Sequence, residues 1–250
     1  MSLKGNRTAF FCTAAGFLFG GLCLSSLAQQ RATAPVASAA ELQKLAAKPT
    51  PRTPDGHPDL SGYWGPPPQT RMLVADASSE SSPVYKPEHE KKVEDLKKNS
   101  ASEDPVRRCQ PAGVPRMGPP WEIVQIPSTI YFIYGDVREG LRTRVIPIDG
   151  RPHDAEIDAR PMGDSVGRWD GDTLVVDVIK LDDATWIDRT GPFHDEKLHV
   201  VERLTRKGDT LKYEVTVDDP PVLAKPWEKK PSTLVLNPGQ HPIEGSPCRQ

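Results

Sequence analysis

Between residues 153 and 202 the chain gathers side chains that move protons. His153, Asp154, Glu156, Asp158 and Asp164 fall in one loop rich in Asp, His and Pro, and Asp188, His194, His199 and Glu202 follow soon after. Imidazoles with carboxylates suit acid–base catalysis, because histidine exchanges a proton near neutral pH and a carboxylate orients it. The candidate catalytic set is therefore His153, Asp164, His194, His199 and Glu202. The same residue types ligate zinc. No His-x-His or His-Glu-x-x-His spacing is present, and no metal or cofactor is assigned. On a strand, His199 and Glu202 point to opposite faces, which weakens a site shared between them. The structural alternative is that the histidines brace long loops.

Two other patterns bear on chemistry. Gly163-Asp164-Ser165-Val166-Gly167 matches Gly-x-Ser-x-Gly. A nucleophile elbow needs a strand before it and a helix after it. Here a Pro-rich loop precedes and a β-hairpin pattern follows, so Ser165 reads as a glycine-flanked strand start. Trp121, Trp169, Trp186 and Trp227 are the large apolar surfaces. In a barrel such residues fill the core or line a cavity. Trp121, Trp169 and Trp186, with Arg116, are the candidate ligand-binding residues. Arg116 and Arg203 could each pair an anionic ligand or a structural carboxylate.

The elements that must carry these residues are short and mostly extended. Leu60 to Trp64 predicts a first strand. Glu122 to Ile126 and Ile130 to Tyr134 predict a hairpin. Leu141 to Ile148 alternates, with Arg142 and Arg144 on one side and Leu141, Thr143 and Val145 on the other. Val166 to Trp169 and Thr173 to Ile179 flank an Asp-Gly turn, a strong hairpin signal. Leu198 to Arg206 and Thr210 to Val217 form a similar pair, and Ser232 to Leu236 a last strand. One surface helix is predicted over Pro87–Lys98, with Pro in its first turn, acids at its start and lysines at its end. Successive hairpins with one apolar face must cover that face, and a sheet that curls into a barrel does so while removing its edges. The expectation is an all-β, antiparallel up-and-down barrel or strongly curved sheet of about eight strands, with long Pro-rich loops. A two-sheet sandwich is the alternative.

The N-terminus addresses the chain. Lys4 and Arg7 precede an uncharged apolar stretch from Thr8 to Leu27, and Ser26-Leu27-Ala28 fits a small-x-small cleavage pattern. Residues 1–28 read as a signal peptide, with a retained membrane anchor as the rival. Residues 29–51 read as a flexible tether in which Ala39 to Lys48 could hold a short helix stopped by Pro49 and Pro51, and 52–250 as a single β domain, periplasmic or secreted, with no membrane span after cleavage. The formal charge of −2 for the whole chain carries no basic excess of the kind nucleic-acid binders show. All 27 prolines lie after the signal, which implies extended loops. Of the four cysteines, Cys12 and Cys23 fall in the signal. Cys109 and Cys248 remain, and one disulfide is the simplest use of two cysteines in an oxidising compartment. Two unpaired buried thiols are the alternative.

Several segments resemble a family of secreted proteins of soil bacteria, the Acidobacteria among them. They are the run from Arg52-Thr53-Pro54-Asp55-Gly56-His57-Pro58-Asp59 through Leu60-Ser61-Gly62, Cys109 through Met117, Asp149-Gly150-Arg151-Pro152-His153, Met162 through Gly167, Gly171 through Asp177, and His199-Val200-Val201-Glu202-Arg203. The resemblance implies export and no particular activity. Gly62-Tyr63-Trp64 has a looser likeness to the Gly-x-Trp of lipocalins. The leading functional expectation is an exported barrel that binds a small, partly apolar molecule. The alternatives are a hydrolase, lyase or isomerase using the His/Asp/Glu set in the same cavity, and a structural or interaction domain of the envelope.

Overall fold

In the computed structural model, residues 38–64, 82–136, 140–189 and 191–242 are described. The expected signal peptide and Cys248 lie outside them. The described chain is mostly β, with two antiparallel sheets and a few short helices. The first sheet runs β1 (Gly62–Tyr63), β2 (Glu122–Ile126), β3 (Thr129–Asp136), β4 (Gly140–Pro147) in that order. The second contains β5 (Asp164–Asp170), β6 (Thr173–Ile179), β7 (His199–Lys207), β8 (Thr210–Asp218), β9 (Trp227–Glu228) and β10 (Ser232–Val235). Its order is β10-β8-β7-β6-β5, with β9 also paired to β8.

Period-two burial builds the interior. On β7, Val200, Glu202, Leu204 and Arg206 are buried; on β8, Leu211, Tyr213, Val215 and Val217 are. The apolar ones meet Trp64, Phe132, Tyr134, Ile146 and Leu174 in one core. The sheets approach at two seams. Gly167 of β5 leaves no room for a Cβ against Ile146 and Ile148, and the Asn237 N–H donates to Tyr63 O at 2.9 Å, next to β10 and β1.

β4 departs from the simple rule that the apolar side faces in. Arg144 is buried, while Leu141 and Val145 are about half exposed. Its register against β3 places Val145 beside Tyr131, and Tyr131 beside Val124, on the outer face.

The surface helix is α2, Pro87–Lys98, with Val93 its buried residue. Two further helices are α1 (Ala39–Ala46) and α3 (Ser100–Glu103), the latter followed by a 3₁₀ turn at Pro105–Arg108. Residues 38–51 hold the short helix allowed for within the expected tether, and they dock on the β domain. α1 has a capping box from Ser38 and Glu41, and its end docks on the β7–β8 turn. Asp209 N–H donates to Leu45 O at 3.1 Å, and Gly208 N–H to Thr50 Oγ1 at 2.9 Å. The Arg52–Asp59 motif docks on the neighbouring β5–β6 turn. Arg52 forms a bidentate pair with Asp172 at 2.9 and 2.7 Å, and the His57 ring stacks on Trp169 at 4.6 Å. No helix among the described residues is long and apolar enough to cross a membrane.

Candidate functional site

Strand alternation sends Ser165, Val176 and Glu202 inward and Asp164, Asp177 and His199 outward. The loop before β5 brings His153 over that outer face. Arg160 holds the loop down: its N–H donates to Lys180 O at 3.0 Å, and its carbonyl accepts from Asp182 N–H at 3.1 Å. His153 Nδ1 then lies 2.7 Å from Asp164 Oδ2, and its Nε2 lies 3.0 Å from Asp177 Oδ1. The other Asp177 oxygen lies 3.0 Å from His199 Nε2. Asp164 Oδ2 also accepts the Asp154 N–H at 3.1 Å. The result is a hydrogen-bonded chain, Asp164–His153–Asp177–His199. It runs from a largely covered end at Asp164, 16% exposed, to an open end at His199, 41% exposed.

Both faces of His153 meet carboxylates, which as anions only accept hydrogen bonds. A histidine oriented by an aspartate, with access to solvent, is the pairing that general acid–base catalysis uses.

The expected catalytic set divides into three places. His153, Asp164 and His199 come together, and Asp177 joins them. Asp177 was missed by sequence reasoning, although a signal was present: it is the single carboxylate in the apolar run Leu174–Ile179. Glu202 lies on the opposite face of β7, fully buried. There it accepts from Arg144 Nη2 at 2.7 Å and from the Tyr213 hydroxyl at 2.5 Å. Arg144 also donates to Tyr134 and Ser165 oxygens, each at 2.9 Å. Ser165 is thus a hydrogen-bond partner inside the core. Burial pushes the Tyr134 and Tyr213 phenols well up from their usual range.

His194 is buried in a third place. Its Nε2 lies 3.0 Å from Thr185 Oγ1, and its Nδ1 donates to Asp195 O at 2.9 Å. Burial holds this imidazole below the usual histidine range.

Of the expected ligand-binding residues, Arg116 and Trp186 meet, while Trp121 and Trp169 each pack on other partners. Arg116 forms a bidentate pair with Asp104 at 2.8 and 2.7 Å, and its guanidinium lies 5.5 Å from the ring of buried Trp186. The indole of Trp121 packs against Gly135 of β3. Trp169 is the partner of His57 described above. An open groove of about 650 Å³ lies elsewhere, lined by Pro83, Tyr85, Val93, Glu94 and Lys97, and holds none of these groups. Among the described residues no group of three or more His, Cys, Asp or Glu side chains is arranged to hold a metal ion. Comparison of the chain with protein-family models, curated proteins and solved structures finds no match.

Proposed function

We propose that this is an exported enzyme working by metal-independent acid–base catalysis on the outer face of β5–β7. The observation that carries the reading is Asp177, which offers one oxygen to each of two imidazoles on a face open to solvent. His199 and Asp177 are the proton-handling pair, and His153 and Asp164 hold Asp177 in place. The reaction class is hydrolysis, elimination or isomerisation of a small polar substrate. This reading takes precedence over an apolar ligand in the interior, because Trp64, Phe132, Tyr134 and Ile146 fill the space between the sheets, and Trp121 and Trp169 pack on Gly135 and His57. We read the two sheets as halves of an interrupted barrel, joined at the β4–β5 and β10–β1 seams. The N-terminal pattern supports export to the periplasm or beyond.

The test is a panel of ester, amide, glycoside, dehydratable and isomerisable substrates, run with the cleaved protein and with Asp177→Asn and His199→Gln. Both variants should melt like the parent, because the side chains are partly exposed. Turnover should fall on the order of 10²- to 10⁴-fold. Silence across the panel, or variants as active as the parent, defeats the reading.

A second reading, an envelope interaction domain, is favoured by one observation. Val124, Leu141 and Val145 present an exposed apolar surface on the outside of the first sheet, which in a soluble domain is a feature of contact surfaces.

A further inference from the structure

The hydrogen-bond pattern identifies the reacting atom of the proposed site and the charge of what it accepts. We infer that His199 takes the proton through Nδ1, and that the substrate is a neutral or cationic hydroxyl or amine compound rather than a carboxylate or phosphate. This rests on the acid–base reading of Asp177 and His199.

Asp177 as a carboxylate only accepts, so His199 Nε2, 3.0 Å from it, carries the hydrogen. A neutral imidazole has one N–H, which leaves the Nδ1 lone pair as the base. His153 enforces this arrangement. It engages the other Asp177 oxygen, so the carboxylate cannot rotate away, and Asp164 with the Asp154 N–H fixes the far side of His153. His153 and Asp164 are therefore positioning residues. In the reaction the substrate X–H bond breaks and its electron pair stays on X. The proton forms a bond to His199 Nδ1, and the imidazolium that results is neutralised by Asp177.

The charge preference follows from the neighbours. Asp218 of β8 is the cross-strand partner of His199, and directly opposed residues share a face. Asp164, Asp177 and Asp218 thus surround two imidazoles, and Asp154 lies at the rim. Four carboxylates against two imidazoles leave the site a negative balance even if both rings carry a proton on each nitrogen. An approaching anion is repelled, and a cation or neutral donor is not.

The test is ¹⁵N–¹H long-range correlation spectroscopy on the labelled, signal-cleaved protein, with His199→Gln to assign the ring. The expected result is a His199 ring protonated at Nε2 with Nδ1 bare, and a mixed or reversed tautomer in Asp177→Asn. Addition of ethanolamine hydrochloride should shift the Nδ1 resonance, and sodium phosphate at equal ionic strength should leave it in place. A His199 ring protonated at Nδ1 overturns the atom assignment. A response to phosphate, or none to ethanolamine, overturns the substrate class. These outcomes are independent of the substrate panel: silence there with a bare Nδ1 here removes the enzyme reading and leaves the tautomer standing.

Discussion

Arg144 of β4 and Glu202 of β7 meet at 2.7 Å in the space between the two sheets, with side chains only 2% and 1% exposed. The pair bolts one sheet to the other, and Tyr134, Ser165 and Tyr213 add hydrogen bonds to it, while Arg144 Nε has no hydrogen-bond partner among the described residues. Removing one buried partner leaves an uncompensated charge, which costs about 3–5 kcal/mol. Glu202→Ala should lose that much in urea unfolding. The double variant Arg144→Met, Glu202→Leu should recover most of it, since apolar replacements of similar volume are often neutral. If the single variant unfolds like the parent, the bolt has no energetic weight.

Asp219 gives the protein a pH-dependent weakness. It is fully buried, its Oδ2 accepts the Asp195 N–H at 2.9 Å, and its Oδ1 has no hydrogen-bond partner among the described residues. Burial, with Asp195 and Asp218 adding repulsion, pushes its carboxyl up to about 6 from 3.8. The folded state thus favours the protonated acid. Its stabilising contribution is full below pH 3.8 and is lost as the pH rises through 6, with a swing on the order of 3 kcal/mol. Asp219→Asn should flatten the difference curve between pH 4 and 6 in chemical unfolding. A variant that keeps the parental slope there would show that another group titrates.

Much of this architecture was legible in the residues. The Asp-Gly and Lys-Gly-Asp turns located both long hairpins, because only a few residues tolerate positive φ, and Gly171 and Gly208 sit at φ +59° and +54°. α2 matched its end signals residue for residue. The split of Glu202 from His199 followed from the pleat alone. Long-range pairing was not legible. Nothing local to Arg144 says that its charge turns inward, because the reason lies at Glu202, 58 residues on. The same holds for Arg52 and His57, whose turn-forming motif finds its purpose at Asp172 and Trp169. His194 looked equivalent to His153 and His199 by type, and only its burial beside Thr185 separates it.

Gly135 supports Trp121 by what it lacks. A Cβ built there would run into the indole ring, so the ring lies directly on the β3 backbone. Gly135→Ala should lift the indole, cost about 1–3 kcal/mol as overpacking does, and alter the tryptophan emission. Trp121→Leu in the Gly135→Ala background should relieve part of the cost. An alanine variant with unchanged stability and emission would show that the indole moves aside freely.

Cys109 closes the 3₁₀ turn after Arg108 in a left-handed conformation, φ 60°. A side chain there is set by its own backbone, and a bond to Cys248 would tie the C-terminal tail to the segment that carries the Arg116–Asp104 pair. The chain between the two cysteines is long, so cross-linking restricts the unfolded ensemble strongly, by about 4 kcal/mol in the chain-entropy treatment. Non-reducing peptide mapping of the native protein should recover Cys109 and Cys248 in one linked fragment, and reduction should lower the melting temperature. Serine at either position should reproduce the reduced value, and the double variant should add nothing further, because a single bond is lost once. Two alkylatable thiols in the native protein would disprove the link.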